Sequence, residues 1–96
     1  MKVEILLSAI ADLAVGFAFY ESQQPGLGGY FLDSLFADID SLAHHAGIHR
    51  KVFGSHRLLA KIFPFAVYYS VENDRVRVKA VLDCRRDPHW IIGKLK

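Results

Sequence analysis

Side chains that could take part in catalysis are concentrated in the second half of the sequence. Cleavage of RNA by attack of a 2′-hydroxyl needs a general base, an acid for the leaving oxygen, and cations that stabilise the phosphorane charge. Arg57, Arg77 and Arg86 are suitable cations, whereas Lys61 and Tyr68 could exchange protons only with perturbed pKa values. If the chain is a ribonuclease, we expect Arg57, Lys61 and Arg86 to be catalytic. Otherwise these side chains are solvated cross-strand partners on a sheet.

A second group of residues near the C-terminus combines cationic and aromatic side chains, namely Arg85, Arg86 and Trp90. A tryptophan beside arginines is suited to stack on a base or to anchor a protein interface. The alternative is that Trp90 packs on the hydrophobic core.

The histidines and the single cysteine lack the spacing that a metal site or a catalytic dyad requires. His44 and His45 are adjacent on a predicted helix and point about 100° apart, with no cysteine or carboxylate at ligand spacing. Cys84 excludes a disulfide framework and has no evident histidine partner. We therefore expect no metal and no cofactor.

The composition indicates one folded domain, with 52% hydrophobic and 23% charged residues. Residues 1–49 contain one base and six acids, whereas residues 50–96 contain eleven bases and four acids. This asymmetry indicates a polyanion or an acidic partner for the second half, or ordinary solvated strand edges. Glu4 and Asp12 interrupt the apolar N-terminal segment, so we expect a cytoplasmic protein with neither a signal peptide nor a membrane span.

The first half of the chain has the pattern of a strand followed by two helices. Residues 2–7 are short and apolar, which predicts a strand, and Ser8 is expected to cap the helix that follows. Pro25-Gly26 ends this helix, and a second helix is predicted over residues 27–46, with Gly47 as its stop. The short link predicts an antiparallel helical hairpin.

The first helix also carries a second apolar strip, opposite the one that faces the predicted core, formed by Ala11, Val15, Ala18 and Phe19. A helix that is apolar on two sides is either sandwiched within its own domain or covered by another chain.

Three strands are predicted in the second half, over residues 57–62, 65–72 and 75–82, with a two-residue turn at Asn73-Asp74. Pairing across this turn gives one wholly apolar face, since it places Val71 opposite Val76, Tyr69 opposite Val78, Val67 opposite Ala80, and Phe65 opposite Leu82.

The other face of this sheet is predicted to be open and basic. If Phe63-Pro64 forms an equally tight turn, the face has Tyr68 at its centre, surrounded by Arg57, Lys61, Arg77 and Lys79. The predicted fold class is therefore α+β, with the helical hairpin on the apolar face of the sheet.

The order of these elements and several short segments resemble the RelE/ParE superfamily of toxins from type II toxin–antitoxin modules. The resemblance covers nearly the whole chain as a single domain, residues 1–96. The matching segments are Ala11-Asp12-Leu13, Phe19-Tyr20-Glu21, Pro25-Gly26-Leu27-Gly28 with Phe31, Arg57-Leu58-Leu59, Phe63-Pro64-Phe65-Ala66-Val67-Tyr68-Tyr69, the turn at 72–75, Ala80-Val81-Leu82, and Arg85-Arg86-Asp87-Pro88 with Trp90.

The resemblance implies a toxin that a cognate antitoxin neutralises, and it leaves the target open. The link at 25–28 and the ending at 85–90 look more like the ParE and plasmid-stabilisation branch, whose members inhibit DNA gyrase and are not known as nucleases. RelE-like members instead cleave mRNA on the ribosome, but Asp83 stands where many relatives have histidine. A third alternative is a non-toxic relative that only binds its antitoxin.

The expected binding residues follow from these predictions. Val15 and Phe19 are expected to contact the antitoxin. Target binding is expected from the open sheet face and the C-terminal cluster, that is, from Arg57, Lys61, Tyr68, Arg77, Lys79, Arg85, Arg86 and Trp90.

Overall fold

A computed structural model describes all residues, 1–96, and confirms the predicted fold class. The predicted N-terminal strand, helical hairpin and antiparallel meander are all present. The elements in chain order are β1 (Lys2–Ile5), α1 (Leu7–Gln23), α2 (Leu27–Asp40), α3 (Leu42–His45), β2 (Lys51–Val52), β3 (Ser55–Leu59), β4 (Phe65–Glu72), β5 (Arg75–Asp83) and α4 (Pro88–Leu95). No helix combines the length and the hydropathy that crossing a membrane requires.

The strands form one five-stranded sheet in the order β1-β5-β4-β3-β2. The first strand lies at one edge and pairs in parallel with β5, whereas the other neighbouring strands are antiparallel. The short strand β2 was not predicted, and it forms the opposite edge of the sheet. The pairing of β1 with β5 places the first and the last strand of the chain side by side.

The two long helices pack closely because glycine lies at their contacts. A Cβ atom on Gly16 would lie 2.5 Å from the ring of Phe31, and one on Gly28 would lie 2.8 Å from the ring of Phe17. The carboxylate of Glu21 accepts hydrogen bonds from the N–H groups of Gly26 and Gly28, which satisfies donors at the start of α2. These hydrogen bonds hold the link between α1 and α2 in place.

Two predicted helix boundaries are wrong. The first helix begins at Leu7, and the Ser8 hydroxyl donates to the carbonyl of Lys79 at 2.6 Å instead of capping the helix. The predicted second helix is broken at Ser41, whose hydroxyl donates to the carbonyl of Asp38 at 2.6 Å and competes with the regular helical bonds. Gly47 has a positive φ of 89°, as the predicted stop requires.

The predicted register of the β4–β5 hairpin holds near the turn and fails beyond it. Asn73 and Asp74 adopt positive φ angles of 49° and 63°, and the two predicted pairs nearest the turn are confirmed. A bulge then lies between the pairs Tyr69–Val78 and Tyr68–Ala80, which leaves Lys79 without a partner residue. The two outer predicted pairs are therefore wrong, because Val67 lies opposite Val81, and Phe65 lies opposite Asp83.

The two faces of the sheet pack against two different hydrophobic clusters. The main core, between the helices and one sheet face, contains Ala9, Leu13, Phe31, Leu35, Ile39, Leu42, Phe65, Val67, Tyr69, Val76, Val78 and Val81. The second cluster lies on the other face, where α4 packs, and contains Ala66, Tyr68, Ala80, Leu82 and Ile91.

The prediction of an open sheet face around Tyr68 is wrong because α4 was not predicted. Tyr68 is fully buried in the second cluster. The helix above it begins at Pro88, after the carboxylate of Asp87 accepts a hydrogen bond from the N–H of His89 at 2.9 Å. An N-cap aspartate followed by proline is a helix-start signal, so the sequence did contain this information.

The connection from β3 to β4 is longer than predicted. The strand ends at Leu59, and residues 60–64 form the link, so Lys61 lies outside the sheet. Arg57 lies opposite Tyr68, whereas Arg77 lies opposite Ser70, so no cross-strand row holds both arginines.

Candidate partner-binding groove

A groove of about 280 Å³ lies between α1, the end of β5, and α4. Its apolar wall includes Val15 and Phe19, whose exposures are 71% and 53%. These are the two residues predicted to contact a partner, and the structure leaves both uncovered. Since a helix places side chains four residues apart on the same face, the pair forms one apolar strip along the groove.

The groove exists because α1 replaces a strand at the edge of the sheet. The first strand pairs with β5 only as far as Val78, and α1 begins two residues after β1 ends. Beyond that point Ser8 donates to the carbonyl of Lys79, and the carboxylate of Asp12 accepts from the N–H of Val81. Two polar side chains one helical turn apart therefore hold α1 against the edge.

Asp12 connects three elements at the floor of the groove. Besides its bond to Val81 on β5, its carboxylate lies 3.9 Å from the Lys94 ammonium on α4. Burial raises the pKa of Asp12, and the Val81 hydrogen bond and the Lys94 charge oppose that rise. Asp12 was not predicted as a site residue, although it is the one charged residue between Leu7 and Tyr20. A lone charge on an apolar helix is the signal that could have found it.

The opposite wall of the groove is basic and aromatic. The Arg86 guanidinium lies 3.8 Å from the centre of the Trp90 ring, and the Lys94 ammonium lies 5.7 Å from it. Trp90 is half-buried against the second hydrophobic cluster, so it packs on the core and lines the groove at the same time. Arg86 is exposed and forms no salt bridge.

Arg85 differs from its neighbour because it is held by Asp83. Its guanidinium donates to the Asp83 carboxylate at 2.8 Å and 3.1 Å. These hydrogen bonds are the main reason why the pKa of Asp83 lies below its usual range. The predicted C-terminal cluster is therefore divided, with Arg86 and Trp90 lining the groove and Arg85 paired beside it.

The remaining predicted target-binding residues do not form one cluster. Arg77 is bound by the carboxylates of Glu4 at 3.2 Å and Glu72 at 3.3 Å. Lys61 is exposed in the link, and its backbone N–H donates to buried Asp38 at 3.2 Å. Lys79 is half-buried at the bulge.

Tyr68 carries the one buried side-chain polar atom that has no hydrogen-bond partner. This atom is its hydroxyl oxygen. An unsatisfied hydroxyl costs about 1–3 kcal/mol, so α4 packs on this part of the sheet less favourably than an apolar contact would allow.

The comparisons with known proteins identify the fold. No model of a known protein family matches the chain, and no curated protein matches it either. Among solved structures, one described as the chromosomal ParDE TA system from P. aeruginosa superimposes with a TM-score of 0.77 and 20% identity. The match covers 84% of this chain and 92% of that chain.

The chain has the ParE fold. The resemblance found in the sequence is thus confirmed at the level of the fold. In this ParE-like chain the groove combines an uncovered apolar strip on α1 with exposed cation and aromatic groups on α4. Such a surface is suited to binding a partner chain.

Proposed function

We propose that this ParE-like protein is the toxin of a type II toxin–antitoxin module, active in the cytoplasm, and that a cognate antitoxin holds it inactive from the groove. The fold shared with a ParDE system supports the proposal. The observation that carries it is the exposure of Val15 and Phe19 on a helix whose other side is buried in the core. Apolar anchors four residues apart are the usual contacts of an amphipathic partner helix.

The chemistry of the groove indicates what the antitoxin segment contains. Its apolar side chains would pack on Val15 and Phe19, and a carboxylate would pair with Arg86, which forms no salt bridge. On the groove side of β5, Ser8 and Asp12 already bind the backbone groups of Lys79 and Val81, so the antitoxin segment is expected to lie on α1 and α4 and not to pair with β5.

For the target we propose DNA gyrase. The ParE-like segments at 25–28 and 85–90 support this choice. The arrangement of the cations also favours it over mRNA cleavage, since two glutamates neutralise Arg77 and α4 covers Tyr68. We propose that Arg86 and Trp90 contribute most to target binding, and that Arg85 contributes less because Asp83 already binds it.

The test is a supercoiling assay with purified gyrase and relaxed plasmid. The protein is expected to inhibit supercoiling, and equimolar antitoxin, taken from the neighbouring reading frame, is expected to relieve the inhibition. Replacing Arg86 with alanine should weaken inhibition about tenfold or more, as expected for an interface anchor. Arg85→Ala is the matched control and should have a smaller effect.

Two results would overturn the proposed target. Prompt codon-phased cleavage of mRNA in a purified translation system, abolished by Arg57→Ala while supercoiling continues, would show a ribosome-dependent endonuclease. Binding to the antitoxin with no effect in either assay would show a non-toxic relative.

A further inference from the structure

Residues 41–71 contain no aspartate or glutamate. The same 31 residues contain four lysines or arginines and four histidines, and none of these bases takes part in a salt bridge. By contrast, Arg77, Arg85 and Lys94 all lie within 4.0 Å of a carboxylate. The segment therefore carries four of the nine lysines and arginines that form no salt bridge, and it has no carboxylate among them.

Three of these cations lie on one two-stranded ribbon at the edge of the sheet, which we call the basic arm (residues 50–57). In this ribbon Lys51 pairs with His56, and the N–H of Arg57 donates to the carbonyl of Arg50 at 3.1 Å. The arm thus brings Arg50 and Arg57 side by side on one face of the ribbon, and Lys51 follows on the other face. No other strand covers the outer side of β2.

The turn of the basic arm presents an aromatic ring at a backbone position that disfavours it. Phe53 has a positive φ of 56° and is followed by Gly54 with a φ of 85°. Asparagine or glycine is the usual residue at such a position, because the left-handed conformation costs other residues about 1–2 kcal/mol. Phe53 is 45% exposed and belongs to neither hydrophobic cluster, so core packing does not explain its presence.

We propose that the basic arm binds single-stranded nucleic acid, with its cations on the phosphates and Phe53 stacked on a base. Stacking on an aromatic side chain requires an unpaired base, which favours a single strand over a duplex. Residues 41–71 also contain no asparagine or glutamine, the side chains that read adenine edges, so no preference for adenine is expected. This activity requires neither gyrase nor the antitoxin, and it can be tested separately from the proposed function.

The test is fluorescence anisotropy of a labelled oligo(dT) strand titrated with the full-length protein at several salt concentrations. Three phosphate contacts would give a slope of log K against log [salt] of about −2. The variant with Arg50→Ala and Lys51→Ala should reduce the slope to about −0.7. Lys2→Ala is the control, because Lys2 is an exposed base on β1 at the opposite edge of the sheet.

The most informative variant is Phe53→Asn. Asparagine suits the turn, so the thermal stability of the protein should be maintained or increased, while loss of stacking should weaken binding about 5- to 150-fold. Unchanged binding by this variant would overturn the proposal. Equal affinity for a blunt duplex of the same length, or for a polyglutamate peptide of the same charge, would also overturn it.

Discussion

The carboxylate of Asp12 accepts a hydrogen bond from the backbone N–H of Val81 at 3.0 Å, at the point where β5 has lost its neighbouring strand. A side chain of α1 thus satisfies a donor that a sixth strand would otherwise satisfy. The bond holds α1 against β5, and it therefore fixes the position of one wall of the groove.

Replacing Asp12 should show that its acceptor matters more than its charge. Asp12→Ala leaves the Val81 N–H without its partner and should lower the free energy of unfolding by about 1–3 kcal/mol. Asp12→Asn keeps an oxygen acceptor and removes a charge that burial disfavours, so its stability at pH 7 should remain close to that of the parent. Urea unfolding measures the free energy of unfolding of the two variants. Equal losses in the two variants would contradict this interpretation.

Two adjacent tyrosines should respond in opposite ways to loss of their hydroxyl groups. Tyr68→Phe removes a buried hydroxyl that has no partner, so it should stabilise the protein by about 1 kcal/mol. Tyr69→Phe should destabilise it, because the Tyr69 hydroxyl accepts from the N–H of Gly47 and bonds to His49. Thermal unfolding of the pair provides the test, and each variant serves as the control for the other. Destabilisation by Tyr68→Phe would indicate a partner for that hydroxyl.

The stability of the protein should fall in mild acid because of His49. The Tyr69 oxygen accepts from the N–H of Gly47, and donation of its own proton to an unprotonated Nδ1 of His49 satisfies both groups. Burial, followed by the charges of His56 and His45, lowers the pKa of His49 from 6.5. The unfolded chain therefore binds more protons between the two pKa values, and stability rises with pH in that window.

The contribution of His49 is complete above pH 6.5 and is lost as the pH falls through the lowered pKa of the folded state. Urea unfolding from pH 5 to pH 8 measures this dependence. In His49→Gln the slope should be flatter than in the parent. An equally steep slope in that variant would contradict the assignment of the effect to His49.

Antitoxin binding should depend on the apolar strip of α1. Phe19→Asp places a charge in an apolar contact and should weaken the complex by about 1–3 kcal/mol, which is roughly 5- to 150-fold in Kd. Leu7→Asp is the matched control, since Leu7 is more exposed than Phe19 and does not line the groove. Calorimetric titration gives both values. Equal Kd values for the parent and Phe19→Asp would place the antitoxin elsewhere.

The hairpin shows how far the sequence could predict this fold. Around Asn73-Asp74 the turn chemistry and the alternation of apolar residues agree, and the predicted pairs are correct. Beyond Val78 the run Ala80-Val81-Leu82 is apolar on both faces, so alternation could not reveal the extra residue at Lys79. The true register depends on α1 and α4, which cover the two faces after the chain has folded.

The candidate site shows the same limit. The apolar strip of Val15 and Phe19 was visible as helical periodicity, and the structure leaves it exposed. Periodicity could not show that Arg86 and Trp90 lie across a groove from it, because they are about 70 residues away and depend on the position of α4. Local pattern thus predicts which residues share an element, and tertiary packing decides which elements meet.

The pairing of the first strand with the last has a consequence for the order of events during synthesis. Glu4 and Arg77 lie side by side although they are 73 residues apart in the chain. Such long-range contacts form slowly, and here they cannot form at all until translation has passed β5. A growing chain on the ribosome therefore lacks both its complete sheet and the groove beside β5. An antitoxin that recognises this groove would bind only finished molecules and would not be consumed by incomplete ones.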